Sequence, residues 1–105
     1  IEDNKLTVQQ KEQLVAEQVM GWKNLLRYQD GTTNYNFSQN WNYLMQVVEM
    51  IEGWGLNVHI HNTWTVIQND DNSVYISEHN PNMNKLQRTF EAVYKFALLK
   101  KDGEV

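Results

Sequence analysis

NWNYLMQVVEMIEGWG, residues 40–55, carries the strongest periodic signal in the chain and sets the frame for everything around it. On a 3.6-residue period Trp41, Leu44, Met45, Val48 and Ile51 share a face, the spacing of an amphipathic helix packed on a core. Tyr43, Val47 and Met50 form a second apolar stripe at i, i+4, i+7, and Trp54 lies near its continuation. Two stripes predict two neighbours: a sheet on one side, and on the other either the first helix or a second copy of the chain. Ser38 is the expected N-cap. Gly53 is expected to end the helix in the left-handed conformation, with Trp54 packing back on the last turn.

The remaining elements follow from this helix outward. Upstream, Thr7 and Gln10 fit a capping box that opens a helix with Val8, Val15, Val19, Trp22 and Leu26 in a stripe and Leu14 beside it. Gly21 is the expected stop, with Trp22 folding back. Asp30-Gly31, flanked by Tyr and Thr residues, predicts a small hairpin or an ordered loop. Downstream, Leu56, Val58 and Ile60 alternate with Asn57, His59 and His61, the pattern of a half-buried strand. Residues 63–68 and 74–77 predict two more strands, and the short connections between the three imply an antiparallel meander.

Asn80-Pro81 ends the sheet, and Asn82 or Asn84 caps a last helix in which Met83, Leu86, Phe90, Val93 and Ala97 share a face with Tyr94 at its margin. Phe96 and Leu99 lie off that face, so they are expected to meet another helix or a partner protein. The expected fold is α+β, order α-α-β-β-β-α: a three-stranded antiparallel meander backed by the central and last helices. The first helix closes the other side of the central one. Residues 7–101 form the expected domain, 1–6 a flexible start and 102–105 a tail.

Composition narrows the chemistry. At 105 residues the chain is sized for one domain, and four Trp, five Tyr and three Phe can carry much of a core. With no Cys, disulfides, thiol catalysis, Fe–S clusters and Cys-ligated zinc are all excluded. No run approaches the length of a membrane-spanning helix, and no membrane partner is expected. The net charge of −4 hides a polarity: residues 28–84 contain no Lys or Arg, whereas Lys85, Arg88, Lys95, Lys100 and Lys101 all fall on the last helix.

Those five are the candidates for contacting nucleic acid, on the helix that opens with a basic cluster in double-stranded-RNA-binding domains of similar element order. The strands offer no positive charge to support phosphate contacts, so nucleic acid is the weaker expectation. His59-x-His61 has the one metal-like spacing, with both imidazoles on one strand face and His79 or a carboxylate as third ligand. The plainer reading is a polar solvent face. Asp70-Asp71-Asn72-Ser73 lacks the length, glycine and terminal Glu of a calcium loop and predicts a turn. Glu49 and Glu52 are separately solvated helix carboxylates before they are a catalytic pair, and Ser38, Ser73 and Ser77 have no nucleophile-elbow context. No catalytic residue and no cofactor is expected. Tyr43, Met50, Trp54, Phe96 and Leu99 are the protein-interaction candidates.

AEQVMGWK at 16–23 and FSQNWNYLMQVVEMIEGWG at 37–55 resemble the phage ABA-sandwich, BC1872-like group of small bacterial and phage proteins: a helix ending in Gly-Trp, an N-capped helix of the form W…VVEKI, short strands and a closing helix. The resemblance covers roughly residues 12–100. It implies helices on both faces of the sheet and a phage or prophage accessory protein in the bacterial cytoplasm; it brings no catalytic residues. The polar strand face of Asn57, His59, His61, Thr65 and Ser77 departs from a sheet covered on both sides. The function these features imply is protein binding without catalysis, with nucleic-acid binding and a small metal-dependent hydrolase as the alternatives. The partner is then an unidentified protein or a second copy of the chain.

Overall fold

The computed structural model describes residues 6–21, 36–71 and 73–104. In chain order these form α1 (Val8–Val15), a π-helical turn (Ala16–Met20), α2 (Trp41–Gly53), β1 (Asn57–Ile60), β2 (Thr65–Gln68), β3 (Val74–Glu78) and α3 (Lys85–Lys101). The fold is α+β with a three-stranded antiparallel sheet of order β1-β2-β3, as the alternating pattern predicts. The hairpin expected at Asp30-Gly31, and the packing expected of Trp22 and Leu26, lie outside the described residues, as does the start at residues 1–5. Among the described residues no helix is long and apolar enough to cross a membrane.

The ends of α1 behave as their residues dictate. Thr7 and Gln10 exchange both capping-box bonds, at 3.2 and 2.8 Å. At the far end Gly21 adopts φ 71°, a left-handed conformation that stops the helix at low cost only for glycine. Just before this stop the last turn widens to π geometry over Ala16–Met20, which the sequence periodicity does not signal.

α2 has one buried face, not two. Leu44, Val47, Val48 and Ile51 are buried, and at about 100° per residue they fill a sector about 100° wide. Trp41 and Met45 lie beyond one margin of that sector, at 37 and 36% exposure. Met50 and Trp54 lie beyond the other, at 37 and 44%. The two stripes are thus the shoulders of a single face: Trp41 and Met45 do not turn to the sheet, and Met50 does not turn to a second neighbour. Tyr43 is half-buried and packs at the edge of the core.

Both ends of α2 also move from their expected residues. Asn40, not Ser38, caps it, accepting from the Asn42 amide at 2.9 Å. Ser38 instead donates its amide and hydroxyl to the buried carboxylate of Glu12, at 3.2 and 3.0 Å, which ties the approach to α2 onto α1. Gly53 remains helical, and the left-handed residue is Gly55, at φ 87°.

The most enclosed element is α3. Arg88, Thr89, Phe90, Ala92, Val93, Tyr94, Phe96 and Ala97 are buried, and at about 100° per residue they cover about 240° of its circumference. Asn84 caps it with a full capping box to Gln87. One side lies on the inner face of the sheet, where Val58, Ile67 and Ile76 are in register. There Thr89 meets Thr65 hydroxyl to hydroxyl at 3.2 Å, and Lys95 pairs with Glu78 at 2.5 Å. The opposite side receives α1, with Lys11 paired to Glu91 at 3.1 Å and set 4.9 Å above the Tyr94 ring. The first helix therefore rests on α3, and its π turn also reaches α2. Phe96, expected off the apolar face, is 1% exposed because α3 has no outer half at that level. Among the described residues the helices contact the sheet through its inner face alone, unlike the two-sided cover that the sandwich resemblance implies.

At the start of α3, Arg88 is 2% exposed. Its guanidinium donates to the carbonyls of Met83 at 3.0 Å, His61 at 3.1 Å and Asn62 at 2.6 Å, while Nε is buried without a partner. No carboxylate pairs with it among the described residues. A planar fork of donors is suited to spanning carbonyls from two different turns.

Three outcomes are expected in urea unfolding. Val47→Ala should lose about 2 kcal/mol, whereas Met45→Ala should stay within about 0.5 kcal/mol; equal losses would restore two buried stripes. Gly53→Ala, with nothing within 4 Å of the added Cβ, should be neutral or gain a few tenths of a kcal/mol, and Gly55→Ala should lose about 1 kcal/mol. Arg88→Ala should cost about 3 kcal/mol, because three carbonyls lose their donors, and Arg88→Lys should recover only part of it.

Candidate functional site

Where α2, β3 and the end of α3 meet, Trp54, Leu56, Tyr75, Phe96 and Lys100 line an open cleft of about 320 Å³. Each wall has a local cause. Trp54 is the residue at which α2 ends, its amide still bonded to the Ile51 carbonyl at 3.1 Å, so its side chain is held at the helix terminus. Leu56 follows the left-handed Gly55 and leads into β1. Phe96 and Lys100 are one turn apart on α3 and so project from the same side.

Tyr75 reaches the cleft through a β-bulge. Ile67 pairs with Ile76 and Gln68 with Val74, so Tyr75 is the extra residue of β3. That break in alternation sets its ring edge-on to Phe96, centroids 6.4 Å apart. Trp54 stacks on Phe96 at 6.3 Å, and the Lys100 ammonium lies 4.8 Å over the Trp54 ring. The cleft thus has a buried aromatic floor, a wall of exposed indole and one positive charge at its lip. It suits an apolar or aromatic group that carries a carboxylate.

The structure joins Trp54 and Phe96, protein-interaction candidates, with Lys100, a nucleic-acid candidate. Met50 is exposed one turn before Trp54; Leu99 is half-buried and Tyr43 sits at the core edge, neither lining the cleft. Leu56 and Tyr75 were legible only as strand residues, and nothing in Val74-Tyr75-Ile76-Ser77 signals the bulge. The other basic candidates disperse. Arg88 is enclosed, Lys95 is paired with Glu78, and Lys85 and Lys101 are exposed at opposite ends of the 17-residue α3, about 24 Å apart.

A second constellation occupies the outer face of the sheet. His59, His61, Trp64 and His79 form a row of nearly parallel rings, with centroids 6.2, 3.7 and 6.1 Å apart in succession. Register explains the row: His59 pairs with Val66 and Val66 with Ser77, and the His61 amide bonds the Trp64 carbonyl at 2.8 Å as the next rung. Gln68 Nε2 lies 3.4 Å from His59 Nε2, and Ser77 Oγ 2.6 Å from His79 Nε2. Among the described residues no three of His, Cys, Asp or Glu are grouped so as to hold one metal ion; His59 and His61 are a pair.

Asp70 and Asp71 form the turn that the composition there predicts; Asn72 lies outside the described residues. Asn69 Oδ1 accepts from the amides of Asp71 and Ser73, at 3.2 and 3.0 Å, and Asp71 Oδ1 accepts from the Ser73 amide at 2.9 Å. Bonds from Ser73, side chain and backbone, hold the Asp71 carboxyl below its usual range. Glu49 and Glu52 both face solvent. Compared with protein-family models, curated proteins and solved structures, the chain matches none.

Proposed function

We propose that this chain is a non-enzymatic protein-binding domain of phage or prophage type, working in the bacterial cytoplasm. Its Trp54 cleft accepts an apolar or aromatic side chain next to a carboxylate on a partner protein. The observation that carries this reading is the state of Trp54: 44% exposed, yet held between the Phe96 ring and the Lys100 ammonium. A large indole left open to water is costly to keep for packing alone. One already immobilised by its neighbours loses little entropy when a partner covers it, and Trp is among the residues enriched at the hot spots of protein interfaces. Lys100 supplies the polar half of the recognition. The nucleic-acid reading has less support, because of the five candidates Arg88 is enclosed, Lys95 is paired with Glu78 and Lys100 lies over Trp54, while Lys85 and Lys101 are exposed far apart.

Selection of a random displayed-peptide library on the intact protein tests this. Enriched peptides should pair an aromatic or large aliphatic residue with Asp or Glu, and Trp54→Ala and Lys100→Glu should each weaken their binding at least about tenfold. Enrichment indifferent to both substitutions would overturn the cleft as the site. Retention of oligonucleotides at low salt, lost on Lys85→Glu with Lys101→Glu, would put nucleic acid in its place.

A further inference from the structure

We propose that His59 and His61 chelate a divalent first-row transition-metal ion, Cu2+ most tightly and Ni2+ and Zn2+ less so, with Gln68 as the positioning residue. His59, on β1, and His61, which directly follows β1 and bonds the Trp64 carbonyl as its next rung, are separated by one residue and are both exposed on the outer face of the sheet. Their ring centroids are 6.2 Å apart. An ion bound about 2.1 Å from one nitrogen of each ring would bring the centroids to about 5 Å, so closure takes about 1 Å of side-chain rotation. Both rings are exposed, and turning the His59 ring alone closes the gap while leaving the His61 ring on Trp64.

Three contacts make the pair more than two polar residues on a wet strand face. His61 is held at its backbone by the buried Arg88, which donates to the His61 and Asn62 carbonyls. Its ring is held against Trp64 at 3.7 Å. His59 is held through Gln68, 3.4 Å from its Nε2. The oxygen and nitrogen of an amide exchange places by rotation about its terminal bond. In the rotated form Gln68 Oε1 accepts from His59 Nε2–H, which leaves the Nδ1 lone pair for the metal, as in ligating histidines whose other nitrogen is bound to an orienting acceptor. Two imidazoles completed by water favour copper over nickel and zinc.

The stack on Trp64 also supplies the measurement. Tag-free protein stripped with chelator and titrated with CuCl2 should lose part of its tryptophan emission, saturating at one ion per chain, because Cu2+ at His61 sits beside Trp64 and quenches it. Trp64→Phe should abolish the quench while calorimetry still records the ion. His59→Ala and His61→Ala should each weaken binding about tenfold or more, Gln68→Ala should weaken it several-fold, and His79→Ala should leave it unchanged. His59, His61 and His79 are exposed, Trp64 and Gln68 half-buried, and circular dichroism confirms that each variant is folded. Binding insensitive to His59→Ala and His61→Ala, or only millimolar binding at several sites, overturns the proposal. The peptide selection at the Trp54 cleft is independent of either result.

Discussion

Enclosure of α3 is the constraint on which the rest of the structure depends. A helix buried over two thirds of its circumference needs a partner on nearly every side, and β2, β3, α1 and α2 meet that demand. β2 and β3 lie under one flank, α1 lies over another, and α2 fills the remainder with the sector from Leu44 to Ile51. Polar contacts within these seams fix their register. Thr65 with Thr89 and Glu78 with Lys95 set the sheet, Lys11 with Glu91 sets α1, and Arg88 fastens both the turn between β1 and β2 and the approach to α3. Apolar packing alone would let helices slide along one another; directional bonds across each seam remove that freedom.

This centre was not where periodicity placed it. The stretch at 40–55 has the cleaner apolar pattern, because α2 is half-exposed and an amphipathic contrast shows best on a half-exposed helix. A helix buried on most sides has no such contrast. The stripe of Phe90, Val93 and Ala97 was legible, but Phe96 looked misplaced, and Arg88 looked like a surface cation, because charge is read as exposure unless a partner is visible. The partners of Arg88 are carbonyls, which every residue carries, so no sequence signal could point to them. Capping was legible where side chain and spacing agree, as at Thr7 with Gln10 and at Gly21. It failed where a second residue of the same capping type stood two positions on: Asn40 caps where Ser38 is expected, and Gly55 is left-handed where Gly53 is expected. At α2 the two stripes are the shoulders of one face, since i, i+4, i+7 spacing fixes a direction only to within about a third of a turn.

Site legibility divides the same way. Residue types were visible, their meetings were not. Trp54, Phe96 and Lys100 each stood out, but in separate roles, and the bulge that brings Tyr75 to them leaves no mark in composition. His59 and His61 were fully legible because a strand holds i and i+2 on one face without help from tertiary structure. Their supports, Trp64, Gln68 and Arg88, required the register and the turn.

The fate of the basic residues decides how the surface meets a charged partner. The last helix concentrates five cations in the sequence, but Arg88 is enclosed and Lys95 is matched by Glu78, so the fold leaves Lys85, Lys100 and Lys101 to meet a charged partner. The chain as a whole carries a net charge of −4, with Lys100 at the lip of its cleft. An acidic peptide approaching it is repelled at long range and attracted at contact. Salt acts oppositely on the two: beyond a Debye length of about 8 Å the repulsion is screened away, while a contact at the cleft lip, partly shielded from water, is weakened less. Association should therefore quicken as salt rises while dissociation quickens too, and the affinity should change little. A phosphate-binding surface behaves in the contrary way, losing affinity steeply with salt through counterion release. The slope of affinity against salt thus separates a cleft that reads one carboxylate beside a ring from a surface that reads a polyanion.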